Sequence, residues 1–266
     1  MDTIIAPVRH IYLYDDPDAQ GLDIDYLAGY LASELPACEV GVRTDFITHH
    51  LGNMPAGERN TATARLSEEL EDADPVSRIS GDDLLFGEVL EQAEAHDYYL
   101  FRPLQNALRT LVPEREAGLD HLHIVVTAHL LAEIEKPLNF HPRLAALGAP
   151  SVISTSGLIE VPERPKEYHF RRLQYATFGA DDHLPDLAED FADRALGYGD
   201  PRLNDVLRGY MLMAVVYRAT GDGPCDIPTC PLYAGDTQGE VLQAQVREQS
   251  RLCAHHSRLI QTISRQ

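Results

Sequence analysis

Hydrophobic and polar positions alternate along the chain in segments that predict both strands and helices. An apolar-rich segment from Ile4 to Tyr14 predicts a strand, and Asp23 or Asp25 is placed to cap a helix that runs through Leu35. The segment from Val40 to Phe46 then alternates as a second strand. A strand–helix–strand opening of this kind is typical of an α/β sheet.

Further strands are predicted in the second half of the chain. His121 to Ala128 contains a compact apolar run, which is typical of a strand buried on both faces. Val152 to Ser156 and Tyr168 to Tyr175 predict two more strands, the second after a turn-rich stretch. The intervening positions, from 56 to about 111, are acidic and helical, with an interrupted apolar stripe.

Two helices are predicted near the C-terminus. One opens at Asp200 as its N-cap and stops at Gly221, and its apolar face includes Tyr210 and Tyr217, which we expect in the core. The other is predicted as one continuous helix from Gln238 to Ile263, because that segment lacks proline and keeps apolar residues at helical spacing.

These patterns predict one domain over residues 1–266. Within it, residues 1–55 form the strand–helix–strand opening, 56–120 an acidic helical insertion or cover, and 121–266 the core. A chain of 266 residues with 44% hydrophobic content is long enough to bury a large core.

The charge balance narrows the choice of environment and partner. The net charge is −20, from 42 acidic and 22 basic residues, and the carboxylates are spread through the whole chain. An acidic, arginine-over-lysine composition predicts a halophilic archaeal source and argues against nucleic acid and against anionic membranes as partners. The N-terminus lacks the features of a signal peptide and no apolar run approaches ~20 residues, so a cytoplasmic location with reduced thiols is expected.

The sharpest chemical signal is the spacing Cys225-x4-Cys230-x22-Cys253-x2-His256. Zinc prefers four tetrahedral sulfur or nitrogen ligands, and closely spaced donor pairs each deliver two of them. The first pair lies in a turn-rich stretch, and the second pair falls at i and i+3 on one face of the predicted helix. The spacing therefore predicts one structural zinc ion held by these four residues.

An alternative interpretation is that these cysteines are reduced and pack as small hydrophobic residues. Two close donor pairs without a spare cysteine between them favour the metal site. The fourth cysteine, Cys38, is predicted to lie in the core. His255 competes with His256 as the fourth ligand, but the Cys-x-x-His spacing fits a helix better than Cys-x-His.

The order of motifs between Leu122 and His256 resembles the archaemetzincins, archaeal metalloproteases of the zincin type, and in particular an archaeal branch labelled as metallopeptidases. The resemblance rests on His-Ile-Val-Val-Thr, then Leu-Asn-Phe at 138–140, then Ala149 to Ser156, then a long helix leading into Cys-x4-Cys. It implies a mixed twisted sheet packed by long helices, with a C-terminal structural zinc. The fold class is then α/β in the broad sense and α+β in the strict sense. Carried over by position, Cys225, Cys230 and Cys253 would be zinc ligands, with His256 in place of a fourth cysteine.

The catalytic positions implied by the resemblance carry other residues in this chain. The family's helix has His-Glu-x-x-His-x-x-Gly-x-x-His. Counted back from the cysteines, its histidines fall on Ala214, Arg218 and Pro224, and its glutamate falls on Val215. Gly221 agrees with the family, and Leu232 stands where the family has a methionine after the cysteine pair. No histidine occurs between His183 and His255, so shifting the alignment restores no ligand.

Other residue patterns point to chemistry less specifically. His121 and His123 alternate onto one face of a strand, and with His169 and a carboxylate they are candidates for a different metal site. The segment from Ser154 to Gly157 lacks the full Gly-x-Ser-x-Gly motif of a nucleophilic serine. A strand that ends before a glycine turn is the simpler interpretation. No nucleotide-binding glycine loop is present.

Three functions follow as hypotheses. The first is a zinc-stabilised protein of this family without peptidase activity, which binds a peptide or protein partner, for example by strand addition at a sheet edge. The second is a metallopeptidase or other hydrolase that uses a non-standard metal site. The third is a zinc or redox sensor, in which thiolates release the metal when they are oxidised.

Overall fold

The computed structural model describes residues 6–73, 98–136, 139–247 and 250–265. The strands within these ranges are β1 (His10–Tyr14), β2 (Glu39–Arg43), β3 (Tyr98–Leu100), β4 (His121–Thr127), β5 (Leu130–Lys136), β6 (Asn139–Arg143), β7 (Ala145–Ala146) and β8 (Ser151–Ser154).

The α-helices within the same ranges are α1 (Ile24–Glu34), α2 (Phe46–Gly52), α3 (Ala56–Ala73), α4 (Phe101–Leu111), α5 (Thr155–Glu160), α6 (Lys166–Phe178), α7 (Leu184–Asp190), α8 (Leu203–Thr220), α9 (Gln238–Gln245) and α10 (Ala254–Ile263). Short 3₁₀ turns lie at Glu114–Glu116 and Asp181–His183. No helix in the described part of the chain is long and apolar enough to cross a membrane.

The strands form two mixed sheets. The larger sheet has the order β2-β1-β4-β8-β7, in which the first four strands are parallel and β7 runs antiparallel to β8. The smaller sheet has the order β3-β5-β6, with β3 and β5 parallel and β5 and β6 antiparallel. The predicted α/β class with a mixed sheet packed by helices is confirmed.

Helices cover both faces of the larger sheet. On one face α1 and α8 pack against alternate strand residues such as Ile11, Leu13 and Ile124, and α8 buries twelve of its residues there. On the other face α2, α3 and α4 pack against Tyr14 and Val125. β4 is therefore buried on both faces, as its continuous apolar run predicts.

The opening strand–helix–strand unit is confirmed with shorter strands than predicted. α1 begins where the Asp23 side chain accepts a hydrogen bond from the backbone N–H of Tyr26. The second strand ends at Arg43, because Asp45 caps α2 and Phe46 already belongs to that helix. Part of the predicted acidic helical segment is also confirmed, as α3 and α4, and positions 74–97 lie outside the described residues.

The predicted strand from Tyr168 to Tyr175 is wrong, because this segment lies inside helix α6. The helix ends at Gly179, whose left-handed conformation (φ 63°) is easiest for glycine. None of its residues is buried, so the apolar side chains that favoured a strand are exposed instead. Ser154 likewise ends β8 and caps α5, and Gly157 lies within that helix rather than in a turn.

The predicted continuous helix from Gln238 to Ile263 is also wrong, because it divides into α9 and α10. The connecting segment bonds elsewhere: the backbone N–H of Arg251 donates to the carbonyl of Thr229, and the Ser250 hydroxyl donates to the carbonyl of Ala244. α8 begins at Leu203, a few residues after its predicted cap, since the Asp200 carboxylate pairs with Arg202 instead. Tyr210 is buried as predicted, and Tyr217 is half-buried.

Candidate metal centre

The first pair of cysteines lies in a tight turn after α8. The helix ends at Gly221, which has a left-handed conformation (φ 77°). The backbone N–H of Cys225 then donates to the carbonyl of Leu232, and that of Cys230 donates to the carbonyl of Ile227. These bonds fold the chain back so that both sulfur atoms face the same side. Cys225 and Cys230 are buried.

The second pair lies at the N-terminus of α10, not in the middle of a helix. Cys253 is the N-cap residue of α10, and its sulfur accepts a hydrogen bond from the backbone N–H of His256 at 3.5 Å. His256 follows one turn into the helix and is buried, whereas Cys253 is half-buried. The helix break that the sequence did not predict is therefore what orients this pair.

The structure brings the four predicted ligands together. Their ligand atoms all lie within 4.8 Å of one another, and no other group of three such ligands occurs in the described ranges. Cys225 Sγ lies 3.9 Å from Cys253 Sγ, and Cys230 Sγ lies 3.7 Å from His256 Nδ1. In a tetrahedral zinc site these atoms would stand roughly 3.5–3.8 Å apart, so the donor set and its spacing fit a zinc ion.

The electrostatics of the cluster favour a bound cation. Burial and the neighbouring thiols of Cys230 and Cys253 raise the pKa of Cys225. Burial alone would also raise the pKa of Cys253, but backbone N–H groups at the start of α10 donate to its sulfur and lower it. Burial lowers the pKa of His256, which keeps the imidazole neutral and able to act as a ligand. The three cysteines could all be thiolates in this buried place only if a cation balanced their charge.

The alternative ligand His255 and the remaining cysteine, Cys38, lie outside this set. His255 is exposed, and its Nε2 lies 3.8 Å from a carboxylate oxygen of Asp222. Cys38 is buried as predicted, and its thiol donates to the carbonyl of Val8 at 3.1 Å. The structure therefore places His256, and not His255, beside the three cysteines.

The positions where the resemblance implies catalytic residues lie around α8 and lack ligand atoms. Ala214 and Val215 are fully buried against the sheet. Arg218 donates to the backbone carbonyls of His121 and Gly118, so its guanidinium holds the start of β4 in place. Pro224 is exposed just before the cysteine turn. Leu232, at the position of the family's methionine, is fully buried.

The histidines that were candidates for a different metal site do not come together. His121 Nδ1 bonds the side chain of Asp120 at 3.0 Å, and its ring stacks on that of His10. His123 is buried two positions further along β4 and bonds the Tyr14 hydroxyl instead. His169 lies on the exposed helix α6.

His123 belongs instead to a buried polar network that the sequence did not reveal. Its Nδ1 lies 2.8 Å from the Tyr14 hydroxyl, which also bonds His50 Nε2 at 3.0 Å and Arg43 at 2.7 Å. Arg43 pairs with the Glu116 carboxylate at 2.7 Å. We refer to these five residues as the Tyr14 network. The signal that would have found part of it is the register of the parallel strands, because tyrosines of β1 alternate onto the same face as the histidines of β4.

Comparisons with known proteins found two similar solved structures and one matching family. No curated protein matches the chain. An archaemetzincin from Methanopyrus kandleri has a similar structure, with 12% identity, 98% of this chain and 97% of that chain covered, and a TM-score of 0.49. A zinc-dependent peptidase from Methanocorpusculum labreanum follows, with 12% identity, 94% and 98% coverage, and a TM-score of 0.42. The model of the family described as "Probable metallopeptidase family (DUF6775)" matches residues 7–263, and the chain therefore belongs to that family.

Proposed function

We propose that this chain is a zinc-stabilised member of its family that binds an extended peptide or protein segment and does not cleave it. The proposal has three parts: one structural zinc ion at Cys225, Cys230, Cys253 and His256, no catalytic metal, and a peptide site at an open sheet edge. Each part rests on a different observation.

The structural role of the zinc follows from the closed donor set. Four protein ligands fill a tetrahedral zinc ion and leave no position for a water molecule, which a catalytic zinc needs. The ion would join the turn after α8 to the start of α10, because Cys225 and Cys230 come from the first and the other two ligands from the second. Bound there, zinc supplies a cross-link and neutralises the thiolates.

The absence of peptidase activity is proposed from the surroundings of α8. A catalytic zinc needs about three protein ligands and usually a carboxylate base. Ala214 and Val215 supply none of these, and both are sealed in the core where a water molecule cannot reach them. In the described ranges, the cysteine–histidine cluster is the one group of three or more metal ligands.

The peptide site is carried by one observation, the open outer edge of β2. No described strand pairs with that side of β2. The backbone N–H of Glu39 donates to the carbonyl of Arg9, and the carbonyl of Arg43 accepts from the backbone N–H of Asp15. The backbone groups of the odd-numbered residues of β2 therefore point towards β1. By the alternation of a parallel ladder, the backbone groups of Val40 and Val42 point outward. An extended peptide would pair with them by strand addition.

Substitution at Val42 tests this site directly. Val42→Pro removes one outward N–H donor and leaves the ladder with β1 intact, while Val42→Thr keeps the donor and serves as the control. We expect peptides selected from a random ten-residue phage library on the wild type to bind Val42→Thr normally and Val42→Pro at least tenfold more weakly. Equal binding to both variants would place the peptide elsewhere.

Cleavage is tested separately. The zinc-loaded protein is incubated with a complex peptide mixture, and new termini are sought by mass spectrometry with and without a chelator. We expect none. Chelator-sensitive cleavage would show a peptidase and would overturn the non-cleaving part of the proposal without affecting the result at Val42.

Redox sensing is a second candidate function, favoured by the exposure of Cys253. Cys253 is half-buried, whereas Cys38, Cys225 and Cys230 are buried. Oxidants attack accessible thiolates first. Zinc release under peroxide, followed with a colorimetric chelator, separates the two functions. Release within minutes would support the sensor, and retention over hours would leave the zinc purely structural.

A further inference from the structure

The Tyr14 network borders a cavity of about 390 Å³ through two of its five residues. Histidines of α2, carboxylates of α3 and of the 3₁₀ turn Glu114–Glu116, and apolar residues at the end of α4 line this cavity. It lies outside the cysteine cluster and plays no part in the function proposed above. The network reaches the cavity through His50 and Glu116, which belong to both.

The hydrogen bonds of the network fix which histidine nitrogens carry protons. His123 Nε2 lies 3.0 Å from the backbone carbonyl of Glu116, which can only accept, so this nitrogen carries the proton. His123 Nδ1 therefore accepts from the Tyr14 hydroxyl. The Tyr14 oxygen in turn accepts from Arg43 and from His50 Nε2, so His50 also carries its proton on Nε2.

The second nitrogen of His50 is consequently a free acceptor. His50 is only 5% exposed, and its Nδ1 has no hydrogen-bond partner among the residues that the structure describes. Burial, with the neighbouring His49, His123 and Arg43, lowers the pKa of His50 to about 4, so the imidazole is neutral near pH 7. The Nδ1 atom is not among the fully buried polar atoms that lack a partner, so it keeps some contact with the cavity and can accept a hydrogen bond there from a bound molecule or from water.

The charges that line the cavity determine which kind of hydrogen-bond donor a bound molecule would carry. Glu58 and Glu114 line the cavity and have no ion pair in the described ranges. Arg115 also lines it, but its guanidinium lies 3.5 Å from the Glu116 carboxylate, which pairs with Arg43 as well. The unpaired carboxylates and the His50 lone pair all accept hydrogen bonds. A metal ion is disfavoured, because these atoms do not form a group of three ligands within coordination reach.

We propose that this cavity binds a small molecule that carries a protonated amino group, with its N–H donating to His50 Nδ1 and its charge facing Glu58. The apolar residues Met54, Leu111 and Val112 would accept the hydrocarbon part of such a ligand. The site assigns a role to His50 that is independent of zinc and of the β2 edge.

Benzylamine is a suitable probe, with benzyl alcohol and benzoate as the uncharged and anionic analogues of similar shape. In protein labelled with ¹⁵N-histidine, long-range ¹H–¹⁵N correlations report the tautomer of each ring. We expect His50, assigned with the His50→Gln variant, to be the Nε2–H tautomer and its Nδ1 signal to shift on addition of benzylamine. Benzyl alcohol should bind at least threefold more weakly, and benzoate should not bind.

Glu58→Gln provides the second readout, because Glu58 is exposed and its replacement should not disturb folding. We expect benzylamine to bind this variant about threefold to tenfold more weakly. Glu68→Gln is the matched control, since it makes the same charge change on the same helix, α3, away from the cavity. It should leave the affinity unchanged.

Several results would overturn the proposal. An unshifted His50 signal, equal binding of benzyl alcohol and benzylamine, or equal losses in Glu58→Gln and Glu68→Gln would each remove the specific amine site. A His50 Nδ1 shift caused by a second equivalent of Zn²⁺ would make the cavity a metal site instead.

Discussion

The cysteine–histidine cluster and the Tyr14 network are both buried groups of titratable side chains, but they reach electrical balance in opposite ways. The cluster gathers the ligand atoms of Cys225, Cys230, Cys253 and His256 within 4.8 Å of one another, and on the function proposed above an added cation would balance its thiolates. The network contains its own positive and negative charges in Arg43 and Glu116 and connects them through neutral side chains.

This difference determines how each region should fail. A metal site loses its balance when one ligand or the ion is removed, because the remaining thiols lose their common partner. A closed hydrogen-bond network fails when a proton is added or when one member loses its polar group, because buried partners are then unsatisfied. Four predictions use this contrast, and they are ordered by the size of the expected effect.

The largest effect is expected for loss of a zinc ligand. Cys230→Ser should abolish stoichiometric zinc and destabilise the region from α8 to α10 by several kcal/mol, since structural zinc contributes about 10 kcal/mol or more to folding in small peptides. Cys38→Ser makes the same substitution at a buried cysteine outside the cluster and should cost less than about 2 kcal/mol. Elemental analysis and hydrogen exchange measure both. If the two variants keep equal zinc and equal protection, the cluster is not a structural metal site.

The second effect is the pH dependence of the network. Burial lowers the pKa of His50 and of His123 to about 4 from an ordinary value near 6.5. Between these pH values the unfolded chain binds protons that the folded chain does not bind. The stability that the two neutral histidines contribute is therefore fully present above pH 6.5 and is lost as the pH decreases towards 4. Each histidine changes the free energy of unfolding by up to about 1.4 kcal/mol per pH unit in this range. His123→Gln should reduce the slope of unfolding free energy against pH in urea titrations.

The control for this slope is His183→Gln, because His183 is exposed and pairs only with Asp186. It should leave the slope unchanged. If His123→Gln and His183→Gln have the same slope as the wild type, then His123 is charged in the folded protein and the assigned tautomers are wrong.

The contrast between the regions also explains what could be predicted from the sequence. The cluster was predictable because its ligands come in two pairs, five and three positions apart, and local geometry carries each pair to one side. The Tyr14 network joins residues 14, 43, 50, 116 and 123, which no spacing rule relates. The parallel register of β1, β2 and β4 aligns Tyr14, Arg43 and His123, and α2 and the 3₁₀ turn Glu114–Glu116 add His50 and Glu116.

The fold itself was predicted where periodicity and burial agree. The apolar run of β4 and the long apolar helix α8 were recognised because both are buried on most sides. The segment of α6 predicts a strand because aromatic side chains favour strands, yet Phe170 is exposed, Tyr168 and Tyr175 are half-buried, and no strand pairs with this segment in the described ranges. At the break between α9 and α10 the N–H of Arg251 donates to the carbonyl of Thr229, a contact between distant positions for which the local sequence gives no signal.

The third prediction removes one oxygen from the network. Tyr14→Phe should destabilise the protein by about 2–3 kcal/mol, because Arg43, His50 and His123 each lose a buried partner. Tyr12→Phe is the matched control on the same face of β1, and its expected change is within about 0.5 kcal/mol because Arg43 stacks on its ring rather than on its hydroxyl. Chemical denaturation gives both values, and zinc content should remain at one ion in each. Loss of zinc in Tyr14→Phe would show that the two regions are coupled.

The smallest effect concerns the choice between two adjacent histidines. His255→Gln should leave zinc content unchanged and alter stability by less than about 0.5 kcal/mol, because His255 is exposed and has only a long contact with Asp222. His256→Gln removes a buried imidazole beside Cys230 and Cys253 and should weaken zinc binding by more than tenfold. Competition with a chelator of known affinity measures both. If His255→Gln weakens binding as much as His256→Gln, the fourth ligand is His255, and the start of α10 must rearrange around the ion.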